Sequence, residues 1–166
     1  MPSRQIHLEA NQEAERLLAS AAVVRRHAGA LRYHPARGLA SPPRPELAAA
    51  IAGLRESLAR IEKWMPAFAE ADAASAADLW ELRDADRRLR VQSDLIRSAL
   101  DVLERALAQP ERVPLDAPYG LGAPRRVHPG AQATWVAERA EALARELATQ
   151  SVLRETLAAD RAPSSP

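Results

Sequence analysis

The spacing of large apolar residues between Leu47 and Met65 constrains the fold of this chain more than any other feature. Leucine, isoleucine and methionine recur there at steps of four, three, four, three and four residues. A helix brings residues at those steps onto one face, whereas a half-buried strand needs strict alternation. The segment therefore predicts a long amphipathic helix that opens with Pro45 in its first turn. Pro66 is expected to kink or end this helix.

Helix-forming residues dominate the composition of the whole chain. Of its 166 residues, 37 are alanine and 21 leucine, against 8 valine and 4 isoleucine. Alanine and leucine favour helices, and β-branched residues favour strands, so the composition favours an all-helical protein. The lack of cysteine excludes disulfide frameworks, thiolate zinc sites and cysteine nucleophiles. A chain of this length is expected to form one domain, predicted over 1–160, with a disordered tail at 161–166.

Apolar residues at helical spacing predict three further helices, over 4–32, 76–109 and 131–160. The last of these is expected to turn Trp135 inward. Trp64, Phe68 and Trp80 flank the link between the second and third helices and are expected to form a hydrophobic plug at that end.

Two segments contain too many helix breakers to continue any of these helices. Residues 33–45 contain four prolines, and residues 110–130 contain five prolines and three glycines. The predicted fold class is therefore all-α. We expect an antiparallel helical bundle of three to four long helices, with a long Pro/Gly-rich crossover before the last helix.

The third predicted helix has an unusually broad apolar face. Its large apolar residues cover an arc of about 180° when successive positions are placed about 100° apart. A surface helix needs a narrower stripe, so this helix either lies between several neighbours or forms an oligomer interface. The residues predicted at that interface are Val91, Leu95 and Val102.

Arginines gather in and beside the two predicted connectors. No acidic residue lies between Glu15 and Glu46 or between Asp116 and Glu138. In a bundle that runs up, down, up and down, both connectors lie at one end, where the second and fourth helices begin and offer free backbone N–H groups. Over 60–86, at the opposite end, seven acidic residues face three basic ones. The sequence thus predicts a basic pole for anion or partner binding, made of Arg25, Arg26, Arg32, Arg37, Arg44, Arg125 and Arg126.

Motifs for catalysis or metal binding are absent from the sequence. None of the four histidines follows a glutamate by three residues, and no HExxH occurs. The nucleophile-elbow, Walker and dinucleotide-binding glycine motifs are missing as well. Asp86 lies near the seam of the third helix, but Ala85 can occupy that seam, which favours a surface ion pair for Asp86. No catalytic residue, metal ligand or cofactor is therefore predicted.

The sequence favours a binding protein over an enzyme. We expect a non-enzymatic helical module that binds another protein and self-associates through its third helix. The first alternative is a binder of nucleic acid or of a phosphate-bearing ligand through the basic pole, with an affinity that falls steeply as salt rises. The second is a small-ligand bundle or an enzyme with a site under 110–130. Neither a secretory signal nor a membrane span is recognisable, so a cytoplasmic protein is expected.

Overall fold

Four α-helices and one short strand pair make up the described part of the chain. The computed structural model describes residues 2–34, 38–39, 43–70, 76–108 and 128–160. The helices are α1 (Pro2–Ala28), α2 (Pro45–Glu70), α3 (Ala76–Ala108) and α4 (Pro129–Asp160). In the connector after α1, strand β1 (Tyr33–His34) pairs antiparallel with strand β2 (Gly38–Leu39). The all-α helical bundle predicted from the sequence is confirmed. Most of the predicted crossover and the tail at 161–166 lie outside the described residues.

Helices α2 and α4 begin in the same way, with a proline as the first helical residue. Proline suits that position because the N–H it lacks would have no partner inside the helix. The carbonyls of Arg44 and His128, just before Pro45 and Pro129, each accept a backbone hydrogen bond of 3.0 Å from the first turn. The sequence therefore marks both helix starts to within two residues.

Two helix boundaries differ from those predicted. Helix α1 ends at Ala28 rather than at residue 32, because Gly29 begins a turn, and glycine costs a helix conformational entropy. Leu31 nevertheless stays buried beyond this end. Helix α2 runs past Pro66 as far as Glu70, so the proline does not end it.

Contacts between the helices show that neighbours run in opposite directions. Between α3 and α4, the Gln132 side-chain amide donates to the Ala99 carbonyl at 2.9 Å, and that of Gln150 donates to the Ala85 carbonyl at 2.6 Å. Residue numbers thus fall along one helix as they rise along the other. The same descending order joins α1 to α2, α2 to α3 and α1 to α4. Between α1 and α2 the contacting pairs are Ser20 with Gly53 and Glu13 with Ser57. Between α2 and α3 they are Arg55 with Glu104 and Glu62 with Arg97. Between α1 and α4 they are Ala28 with Gly130 and Arg25 with Glu141.

This alternation places the starts of α2 and α4 and the ends of α1 and α3 at one end of the bundle. Arg32 and Arg44, which flank the first connector, and His128, which follows the second, therefore lie at this end of the bundle, while Arg37, Arg125 and Arg126 are outside the described residues. None of the described helices has a stretch long and apolar enough to cross a membrane.

Leucine and alanine fill the core between the four helices. The predicted stripe of α2 is buried from Leu47 to Ile61, and alanines line much of the inner faces of α1 and α4. Small side chains let neighbouring helices approach closely. At Gly53, an added Cβ atom would lie 3.1 Å from the Ser20 hydroxyl on α1, so a larger residue there would require that hydroxyl to move by a few tenths of an ångström. The largest fully buried side chains are Leu17, Leu47, Leu54, Ile61, Leu82, Leu89, Ile96, Leu100, Leu103 and Leu143.

Candidate functional site

The predicted basic pole is only partly available for binding. Arg25 is exposed, but its guanidinium donates to the Glu141 carboxylate on α4 at 2.8 and 3.2 Å. Arg26, Arg32 and Arg44 are exposed, and no carboxylate among the described residues pairs with them. Arg37, Arg125 and Arg126 lie outside the described residues. The structure therefore brings three exposed arginines to this end and assigns a fourth to an ion pair.

The junction of α1 with α4 forms a small cavity at this basic end. Its volume is about 550 Å³, and Arg32 and His128 are its ionisable lining residues. The Nδ1 atom of His128 accepts a hydrogen bond of 3.1 Å from the backbone N–H of Ala131, which caps α4. A Cβ atom at Gly130 would lie 2.7 Å from the Ala28 carbonyl oxygen, so the two backbones nearly touch. The hydrogen bond of His128 therefore caps the start of α4, and close backbone packing at Gly130 brings that start against the end of α1.

The apolar strip predicted on α3 is largely exposed to solvent. Val91 and Leu95 retain 51% and 41% of their accessible surface, and Val102 is half-buried, packed against Ala106. The inner part of the same broad arc is buried, including Ile96. Helix α3 thus covers its inner apolar residues within the bundle and leaves a second, outward strip uncovered.

Trp135 adds to this strip from the neighbouring helix. The prediction that it points inward is wrong, because it retains 46% of its surface while Val136 takes the core position. Its indole lies under the Arg139 guanidinium, with the central carbon 4.6 Å from the ring centroid. The Gln132–Ala99 hydrogen bond fixes the level of α4 against α3.

The same hydrogen bond shows where Trp135 lies relative to the strip. Trp135 lies about one helical turn beyond Gln132 on α4, and Leu95 lies about one turn from Ala99 on α3 in the same direction along the bundle. We call the surface formed by Val91, Leu95, Val102 and Trp135 the α3–α4 face.

The tryptophans near the opposite end do not form the predicted plug. Trp64 is half-buried and packs against the core, as expected. Trp80, by contrast, retains 75% of its surface, because it lies on the outward stripe of α3 rather than on the inner face. The side chain of Phe68 lies outside the described residues. The prediction of a closed aromatic plug that includes Trp80 is therefore wrong.

The sequence patterns do not predict the buried carboxylate found on α1. Glu13 is fully buried and accepts hydrogen bonds from the Ser57 hydroxyl at 2.5 Å, from two Arg60 nitrogens at 2.8 and 2.9 Å, and from Arg16 at 2.9 Å. Burial by itself raises the pKa of Glu13. The hydrogen bonds from Arg60 and Ser57 and the positive charge of Arg60 outweigh burial and leave this pKa below its ordinary value. We call these four residues the Glu13 cluster.

The spacing of Glu13 and Ser57 in the sequence indicates that both polar residues face the core. Glu13 lies three residues after Ala10 and four before Leu17, both of which belong to the inner stripe of α1. Ser57 stands in the same relation to Leu54 and Ile61 on α2. Two polar residues at core-facing positions of adjacent antiparallel helices are expected to meet, because a buried polar group needs a partner. The Glu13 cluster is therefore a structural tie between α1 and α2.

A wider groove separates the first half of α2 from the last turns of α3. Its volume is about 710 Å³, and Ile51, Leu107 and several alanines line it. Arg55 and Glu104 stand at its charged edge, but they bind each other at 3.1 and 3.2 Å, and Arg55 also binds Asp101 at 2.6 Å. The hydrogen bond to Glu104 raises the pKa of Arg55 more than burial lowers it. Arg55 and Glu104 are thus committed to joining two helices, while Glu56, which also lines the groove, pairs at 3.9 Å with Arg60 on its own helix.

The described residues contain no group of three or more His, Asp or Glu side chains arranged to hold a metal ion. Asp86 is 8% exposed, so it is more buried than the flank position predicted for it, while Ala85 occupies the core as expected. Helix α3 packs between α2 and α4, and this covers the flank that a surface helix would leave open. Among the exposed large apolar side chains of the described residues, Val91, Leu95 and Trp135 belong to the α3–α4 face, while Leu8 and Leu18 are exposed on α1 and Val152 is exposed on α4.

No family model matches this chain, and comparisons with curated proteins and with solved structures likewise find no match.

Proposed function

We propose that this protein is a non-enzymatic helical interaction module that binds a protein partner and self-associates through the α3–α4 face. The observation that supports the proposal is the adjacency of exposed Leu95 and Trp135 on two neighbouring helices. Single exposed apolar residues are common on protein surfaces, whereas a contiguous apolar patch marks an interaction site. Tryptophan in particular is enriched among the residues that dominate binding energy at interfaces.

Contacts that hold α3 against α4 also favour the α3–α4 face as a binding surface. Just beyond Val91, Arg88 donates to Glu146 across the α3–α4 seam at 3.0 Å, and Gln132 ties the other end of the face to Ala99. An apolar face held on rigid helices loses little conformational entropy when a partner binds. The face is therefore preorganised for docking.

The two alternative functions have weaker support from the side chains. At the basic pole, Arg25 is already bound to Glu141, and no buried polar side chain among the described residues lines the cavity beside Arg32. In the groove between α2 and α3, Arg55 and Glu104 neutralise each other rather than converge on the space between the helices. A small-molecule site needs a few convergent polar groups to fix its ligand. Protein binding through the α3–α4 face is accordingly the function we propose.

The test is the mass of the protein in solution, measured by sedimentation equilibrium over a concentration series. For the wild-type chain we expect a reversible shift from monomer to dimer mass. The Leu95→Glu variant should remain monomeric. Burying the exposed part of one leucine contributes about 1.5 kcal/mol, and a symmetric dimer buries two, which gives about 3 kcal/mol or a rise of about 150-fold in Kd.

The matched control is Leu18→Glu, which places the same charge at an exposed leucine of α1. Leu18 retains 46% of its surface, close to the value for Leu95, and α1 does not contribute to the α3–α4 face. This variant should associate like the wild type. Equal effects of the two substitutions, or a wild-type chain that stays monomeric at every concentration, would contradict self-association through this face.

A further inference from the structure

We draw no further inference here: the strongest candidate, the exposed apolar surface patch that Val91 and Leu95 form on α3 beside Trp135 of α4, carries nothing beyond the proposed function, because nothing in the described part of the structure shows what covers it.

Discussion

Replacing Glu13 with glutamine tests the physical basis of the bundle itself. The carboxylate accepts four hydrogen bonds, three of them from arginines, and is fully buried. A hydrogen bond to a charged group contributes about 1.5 to 3 kcal/mol. Arg16 and Arg60 are partly exposed, so they regain water when the charge is lost, and this places the expected cost near the lower end. We expect Glu13→Gln to reduce the free energy of unfolding by about 2 kcal/mol at pH 7.

The measurement is urea-induced or thermal unfolding followed by far-ultraviolet circular dichroism. A loss of about 2 kcal/mol corresponds to a fall of about 4 to 8 °C in Tm for a chain of this size. Glu15→Gln is the matched control, since Glu15 lies two residues away on the exposed side of α1. It should change the free energy of unfolding by less than about 0.5 kcal/mol.

The difference in unfolding free energy between the wild type and Glu13→Gln should change with pH, whereas a difference caused by packing alone would not. The pKa of Glu13 is lowered in the folded state, so its charged form stabilises the fold. That contribution is fully present above the pKa of about 4.3 of an unfolded glutamate, and it is lost as pH falls through the lower folded-state pKa. The wild type should therefore lose its advantage over Glu13→Gln between about pH 5 and pH 2. A variant as stable as the wild type at pH 7, or a difference that widens in acid, would refute the reasoning.

Two substitutions at the junction of α1 with α4 test how tightly the helix ends are joined. Gly130→Ala should reduce the free energy of unfolding by about 1 to 3 kcal/mol, because its methyl group would lie 2.7 Å from the Ala28 carbonyl oxygen. The control Gly29→Ala, which meets no atom within 4 Å, should change it by less than about 0.5 kcal/mol, and equal effects in thermal unfolding would contradict the close approach. His128→Ala removes the side-chain cap of α4 and should cost about 1 kcal/mol, while His128→Asn keeps a capping oxygen and should restore most of it. If alanine and asparagine give the same Tm, the imidazole contributes no cap.

The architecture was predictable because the strongest sequence signals were also the ones that decide the fold. The stripe from Leu47 to Ile61 is buried as its period requires. Pro45 and Pro129 mark helix starts, and breaker-rich connectors separate the helices. Alternation of direction was an assumed topology, and the contacts between the helices show it. Periodicity and proline chemistry act locally, so they can be recognised in a single sequence.

The surface of the bundle was less predictable because it depends on how the helices rotate against one another. The broad arc of α3 was compatible with a central helix or with an interface, and the structure divides it between the buried Ile96 and the exposed Val91. Hydrophobicity places Trp135 in the core, yet Val136 occupies the inward position. A rotation of one residue, about 100°, is enough to exchange core and surface. The role of Glu13 becomes recognisable only when its core-facing position on α1 is considered together with that of Ser57 on α2.

The central claim is that the α3–α4 face meets another copy of the chain, and the indole N–H signal of Trp135 reports on it most directly. Samples labelled with ¹⁵N would be compared by nuclear magnetic resonance from dilute to concentrated solution. We predict that the Trp135 signal shifts with concentration while that of Trp64, which packs against the core, stays constant. The shift should disappear in Leu95→Glu. A Trp135 signal that keeps its position at every concentration would contradict the account.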